Sequence, residues 1–255
     1  MIRKLIAGNW KMNLNPVESE TLIKNIVQKI EKKFFDKVDV LICPTYVALE
    51  IAARMISGTG IKLGAQNLHY ENDGAYTGEI SASILKAIGC EYVIIGHSER
   101  RKYLHEKNDI INKKIKKAIE FELKPILCVG ETFEEREDEI YEGVVEDQLK
   151  EGLFEMTDEQ IKKVIIAYEP VWAIGTGLNA TPTQASDMHA FIGKIVSKLF
   201  GDEIANELPI LYGGSVNEKN ASQILSACGI DGALVGGASL LANEFAEIVK
   251  AAYEI

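Results

Sequence analysis

Eight short apolar runs recur along the chain, spaced so that one helix fits between each and the next: Lys4 to Ala7, Val38 to Ile42, Ile61 to Ala65, Tyr92 to Ile95, Pro125 to Val129, Val164 to Tyr168, Ile210 to Tyr212 and Ala233 to Val235. They are continuously apolar, the pattern of parallel strands covered on both faces, and a helical period follows each. The start signals agree. Pro16 opens a helix over Val17 to Ile30, Thr157 with Gln160 makes a capping box, Thr181 caps a helix with Pro182 in its first turn, and Asn217 caps another. No linker, charged block or low-complexity stretch divides residues 1–255, so one domain is expected. Eight βα units demand a parallel sheet, either doubly wound or closed into a (β/α)₈ barrel.

The carboxyl ends of the runs choose between these. Unit one ends GNWKMN, unit three AQN, unit four GHSERR, unit six YEP, unit seven YGGS and unit eight VGGAS. In a barrel these polar and glycine residues converge on one mouth, whereas an open sheet would string them along an edge. The expectation is therefore an α/β fold of the (β/α)₈ TIM-barrel type. Asn9 and Lys11 lie two apart and share a side of the strand, as do Ile95, His97 and Glu99 if the extended conformation continues.

The most pointed segment is Ile165 to Gly177, IIAYEPVWAIGTG. Glu169 falls where a buried strand runs out, and Pro170 stops the ladder. Val171 to Ile174 are too apolar for an ordinary surface loop, which suggests a lid with Gly175 and Gly177 supplying bare amides. A carboxylate under a water-excluding lid can act as a base, because desolvation strengthens each electrostatic contact around it. His97 precedes a helix expected to begin near Ser98, whose positive dipole end favours a neutral imidazole donor. Lys11 stands out against the formal net charge of −10. At ~4 Å and an effective dielectric of ~20 one ammonium is worth on the order of 4 kcal/mol to an anion, whereas the global field is screened beyond roughly 8 Å. Glu99 is its expected ion-pair partner. Anion binding falls to glycine amides, at Gly213, Gly214 and Ser215 before one helix and at Gly236 and Gly237 before another with body Leu240 to Ala251. There is neither a GK[ST] loop nor a GxGxxG after the first strand, so a nucleotide fold is not indicated.

Composition narrows the class. With 47% hydrophobic and 26% charged residues the 255-residue chain suits a globular protein with a large core. The acidic balance argues against a nucleic-acid partner, and KKIKK at Lys113 to Lys117 reads as a solvated helix face. No segment has the apolar length of a membrane span or a signal peptide, so the cytoplasm is the expected compartment. Cys43, Cys90, Cys128 and Cys228 are far apart and read as buried thiols, and neither disulfides nor a metal or other cofactor is expected. His69, His105 and His189 are expected to be structural or solvent-facing. The segment Asn67 to Ser81 is long for a βα connection and carries Tyr70, Ala75, Tyr76 and Thr77 on a projecting turn, which suggests a partner surface.

GNWKMN, AQN followed by GAYTGEIS, YVIIGHSERR, AYEPVWAIGTG, LYGGSV and LVGGASL, in that order and over essentially the whole chain, resemble the triosephosphate isomerase family. The resemblance implies a metal-free barrel enzyme of glycolysis and gluconeogenesis that interconverts dihydroxyacetone phosphate and D-glyceraldehyde 3-phosphate. It implies Glu169 as base, His97 as electrophile, and Lys11 and Asn9 as substrate-orienting groups. Gly175, Ser215, Gly236 and Gly237 would hold the phosphate, supported by Ser98 and Glu99. It also implies a homodimer in which the loop Asn67 to Ser81 brings Thr77 toward Asn9 and Lys11 of the partner subunit. Leu178 stands where the family often has lysine. Other phosphorylated-sugar isomerases or epimerases on the same barrel, or a catalytically silent phosphate-binding protein, are the alternatives.

Overall fold

Residues 2–173 and 180–255 are described in the computed structural model. Each apolar run forms a strand: β1 (Lys4–Asn9), β2 (Val38–Cys43), β3 (Lys62–Ala65), β4 (Tyr92–Ile95), β5 (Lys124–Val129), β6 (Ile165–Tyr168), β7 (Ile210–Tyr212) and β8 (Gly232–Val235). All pair in parallel in sequence order, and β8 returns to β1 through Leu5 opposite Gly232, so the sheet closes as a barrel. Closure removes every free strand edge, which an open sheet of the same strands would leave unpaired.

Twelve helices surround it: α1 (Pro16–Lys29), α2 (Leu49–Ile56), α3 (Ala82–Ile88), α4 (Ser98–Leu104), α5 (Asn108–Glu120), α6 (Phe133–Glu137), α7 (Tyr141–Gly152), α8 (Asp158–Ile161), α9 (Pro182–Phe200), α10 (Asp202–Glu207), α11 (Ala221–Leu225) and α12 (Ala242–Glu254), counted among the described residues. Capping boxes open α1 at Asn15, α6 at Thr132, α8 at Thr157 and α9 at Thr181, each satisfying orphan amides of the first turn. Asn217 departs from expectation. Its side chain accepts from the Lys219 and Asn220 amides, capping the turn that leads into α11 and not the helix itself. The last helix likewise starts later than expected, since Gly237–Leu240 winds as a 3₁₀ turn before α12.

Strand residues alternate between two cores. Leu5, Ala7, Leu41, Tyr92, Ile94, Ile126 and their like form a twelve-residue inner cluster, drawn from strands alone, that fills the barrel. Ile6, Val40, Ile42, Val93, Ile95 and Ile166 face outward into a larger cluster with helix residues such as Ile23, Ile26, Ile192 and Phe245. A fully buried Leu or Ile contributes about 1.5–3 kcal/mol, so the larger outer layer carries most of the apolar stabilisation. The continuous apolar runs follow directly, because both faces of every strand are covered.

Two surface expectations are corrected. Lys114 is not part of a solvated face; it is buried, paired with Glu106 and donating to Asn67 Oδ1 at 2.7 Å. The helical period turns this one lysine of the run inward, where Glu106, itself bonded to Arg100 Nε at 2.9 Å, compensates it. Cys228 is exposed, whereas Cys43, Cys90 and Cys128 are buried; it lies in the turn between α11 and β8, outside both cores.

Candidate active site

Strand parity aims Asn9 into the mouth, since it continues the inward series Leu5, Ala7. The chain then turns sharply. Lys11 has φ of 53°, left-handed and unusual for a residue with a Cβ, and its amide donates to Asn9 Oδ1 at 3.0 Å. Gln66 braces the turn by donating to the Lys11 carbonyl at 2.8 Å and to the Cys43 carbonyl at 3.0 Å. Lys11 Nζ meets Glu99 Oε1 at 2.7 Å, the expected pair. It also lies beside Gly236, where a Cβ would stand 3.9 Å from Nζ.

His97 arrives by a different route from the one expected. Parity continues Val93 and Ile95 outward, so extended backbone would aim His97 at the helices. Gly96 breaks the series with φ of +72°, and His97 becomes the N-cap of α4. Glu99 therefore lies in the first turn of a helix, not on a strand. Glu169 continues the inward series Ile165, Ala167 and is 2% exposed. Its Oε1 lies 2.9 Å from His97 Nε2, and its Oε2 accepts the Ser98 amide at 2.9 Å.

These contacts set the charge states. Burial favours a neutral Glu169, but His97, the Ser98 amide and Lys11 together hold its carboxyl below the usual range, so it is an anion at neutral pH. Burial likewise favours a neutral His97, but the Glu169 carboxylate touching Nε2, with Glu99 Oε2 3.6 Å from Nδ1 on the other side of the ring, outweighs that and raises the imidazole pKa. The helix dipole alone thus does not set this group. Opposing the rise, the Glu99 backbone N–H donates to Nδ1 at 3.2 Å and requires a lone pair there. We assign the tautomer from that bond: Nδ1 bare and Nε2 carrying the hydrogen toward Glu169, the arrangement of a neutral donor.

The wall behind Glu169 was not anticipated from the sequence. Unit five ends in Gly130 and Glu131, a glycine followed by a polar residue as in the other strand ends, and that was the available signal. Glu131 is fully buried, and its Oε1 accepts from Tyr168 Oη at 3.0 Å, Trp172 Nε1 at 2.8 Å and Arg136 at 3.2 Å. Arg101 ties the ends of two strands together, donating to the Gly96 carbonyl at 2.7 Å and the Cys128 carbonyl at 3.0 Å.

A glycine-rich wall lies opposite. A cavity of about 320 Å³ is lined by Asn9, Lys11, His97 and Glu169 on one side and by Ser215, Gly236 and Gly237 on another. Gly236 and Gly237 head the 3₁₀ turn, whose first amides have no carbonyl within the turn to bond. Gly213 is not free for an anion, because its amide donates to the Tyr168 carbonyl at 2.7 Å. Glu244 also lines the cavity, an acidic rim that the sequence did not single out. Gly175 and the rest of the expected lid from Ile174 onward lie outside the described residues. Thr77 is not in the cavity; it is exposed at the tip of the loop Asn67 to Ser81. Among the described residues no group of three His, Cys, Asp or Glu side chains is placed to hold a metal ion.

The family model for triosephosphate isomerase matches residues 4–252, nearly the entire barrel. This chain belongs to the triosephosphate isomerase family. A triosephosphate isomerase from Chloroherpeton thalassium is 51% identical over 252 residues, covering 99% of this chain and 100% of that protein. One from Dictyoglomus turgidum is 49% identical over 250 residues, covering 98% and 100%. One from Clostridium botulinum is 49% identical over 246 residues, covering 96% and 98%. The span matched by the family model includes every strand end that lines the cavity.

Proposed function

We propose that this protein interconverts dihydroxyacetone phosphate and D-glyceraldehyde 3-phosphate, an isomerase step of glycolysis and gluconeogenesis. The observation that carries the reading is an anionic Glu169 and the Nε2–H of His97 on one wall of a cavity whose other wall offers glycine amides and an ammonium. Moving a proton between adjacent carbons beside a carbonyl needs such a base and such donors at the developing enediolate oxygens. Glu169 takes the proton from one carbon and returns it to the next. His97 donates to the oxygens, Lys11 and Asn9 orient the substrate, and Ser215, Gly236 and Gly237 hold the phosphate, with Gly175 of the lid adding an amide. Glu99 and Ser98 position Lys11 and Glu169. At about 320 Å³ the cavity is at the small end of ligand sites, in keeping with a triose.

We further propose a homodimer through the loop Asn67 to Ser81. The loop is stiff at its base, where Asp73 Oδ1 accepts from Ser81 and Ser83 at 2.9 Å, while Tyr76 at its tip is 43% exposed. Met12, 94% exposed, and Val47 stand on the neighbouring strand ends, leaving apolar side chains for a partner to cover. The compartment expected for a glycolytic step is the cytoplasm.

A coupled assay with D-glyceraldehyde 3-phosphate, run with and without a chelator, tests the activity. Glu169→Asp withdraws the carboxylate by about 1 Å and is expected to cost on the order of 100-fold in turnover with substrate affinity little changed. Wild-type turnover in that variant, or loss of wild-type activity to the chelator, would refute the mechanism. No turnover of the triose at all would return the reading to a different sugar phosphate or to a silent binding protein.

A further inference from the structure

Behind the catalytic wall lies a second and larger cavity, of about 950 Å³, between α4 and the pair α6 and α7. Among the described residues Glu169 is the only one that lines both cavities, so this residue stands between them. Val171 and Trp172, the first residues of the lid segment, line the second cavity as well. Its charge is one-sided. Asp147 and Glu151 of α7 and Glu134 of α6 are exposed carboxylates on its wall, joined by Glu169. Against them stand Lys102, which lies 5.3 Å over the Tyr103 ring, and Arg101, which spends its donors on two backbone carbonyls and Asn108. The Glu151 carboxylate accepts only from the neutral Asn108 amide, at 2.9 Å, among the described residues. The mouth is aromatic, with Tyr103 and Phe133 both exposed.

We propose that this cavity is a second ligand site, for a small organic cation that carries an amidinium or ammonium on a flat apolar body. Acidic side chains around an aromatic mouth select such a ligand by charge-assisted hydrogen bonds and by cation–π contact, and reject anions, including the phosphate that the first cavity is built to hold. A cation seated there engages Glu169 from behind and packs on Trp172. It thereby restrains the base and the root of the lid without occupying the triose's place. The consequence is noncompetitive inhibition, a fall in kcat with KM preserved.

Benzamidine is the probe, with the isosteric neutral benzamide as control. Calorimetry on the full chain reads binding without reference to catalysis, so its outcome is separate from that of the proposed isomerase activity. Expected are one benzamidine site per chain, benzamide binding about tenfold more weakly, and no displacement by saturating inorganic phosphate. Combining Asp147→Asn with Glu151→Gln, which retains the acceptor for Asn108, is expected to weaken benzamidine by about tenfold while kcat without the probe stays at the wild-type value. Equal binding of benzamide and benzamidine to the wild type, displacement by phosphate, undiminished binding to the folded double variant, or no binding at all overturns the proposal. The comparison of the two probes on the wild type decides the matter even where the double variant does not fold.

Discussion

At the scale of single residues, burial divides the histidines into different chemical roles. His97 is buried but touches a carboxylate, and its pKa rises. His189 is buried in α9 with Nδ1 2.8 Å from the Gly229 carbonyl, and burial pushes its pKa down to about 4. The sign of the resulting pH dependence follows from that direction. Below its ordinary value of about 6.5 the unfolded chain binds a proton that the folded chain refuses, so stability is whole above about pH 6.5 and is lost as pH falls toward 4. Across that window the loss amounts to about 3 kcal/mol at 1.36 kcal/mol per unit. Urea unfolding of wild type and His189→Gln should therefore show a stability difference that is constant above pH 7 and drifts by about this amount in favour of the variant by pH 4. A difference independent of pH would mean that His189 is not held neutral. His69 is a third case, packed 4.5 Å from the rings of both Tyr70 and Tyr76 in the projecting loop.

At the scale of elements, the mouth depends on how closely neighbouring strand ends approach. The end of β5 presses on the end of β6: a Cβ at Gly130 would lie 1.8 Å from the Glu169 carbonyl oxygen, and the Glu169 amide donates to the Val129 carbonyl at 2.8 Å. Gly130→Ala must push the backbone that carries Glu169, the proposed base. The expected result is a turnover loss on the order of 100-fold, since a displacement of about 1 Å suffices for that. Gly143, within α7, has nothing within 4 Å of its ideal Cβ. Gly143→Ala is expected to raise stability by about 0.5–1 kcal/mol through lower chain entropy, with turnover unchanged. Measuring melting temperature and kcat for both variants checks the contrast; two alanines of equal effect would refute it.

At the scale of the whole molecule, the exposed loop tip and its apolar neighbours bear on assembly. Lys114, Asn67 and Glu106 anchor the base of the loop from within the fold, while the residues from Glu71 to Glu79 are exposed. A stiff projection costs little ordering entropy when a partner receives it. Thr77→Arg places a long cation at the tip and is expected to weaken association and lower turnover together, because a loosely braced Lys11 loses its orientation. Light scattering across a dilution series, paired with activity, reads both. A wild-type monomer, or a monomeric variant with undiminished turnover, would count against the interface.

The local pattern was enough to determine the barrel's strands and the helix starts at Pro16, Ser98, Thr157 and Thr181, because apolar runs and caps act over a few residues. The family resemblance was legible for the same reason, resting on contiguous motifs at the strand ends. Other features depended on contacts between units distant in sequence. Only the fold brought Lys114 inward to Glu106 and made Glu131 the common acceptor for Tyr168, Trp172 and Arg136. Only the left-handed turn at Gly96 swung His97 off the outward parity of β4 and onto the carboxylate of β6. A strand pattern states which face a side chain leaves by, but which charge it meets is decided when the eighth strand closes on the first and places all the strand ends around one mouth.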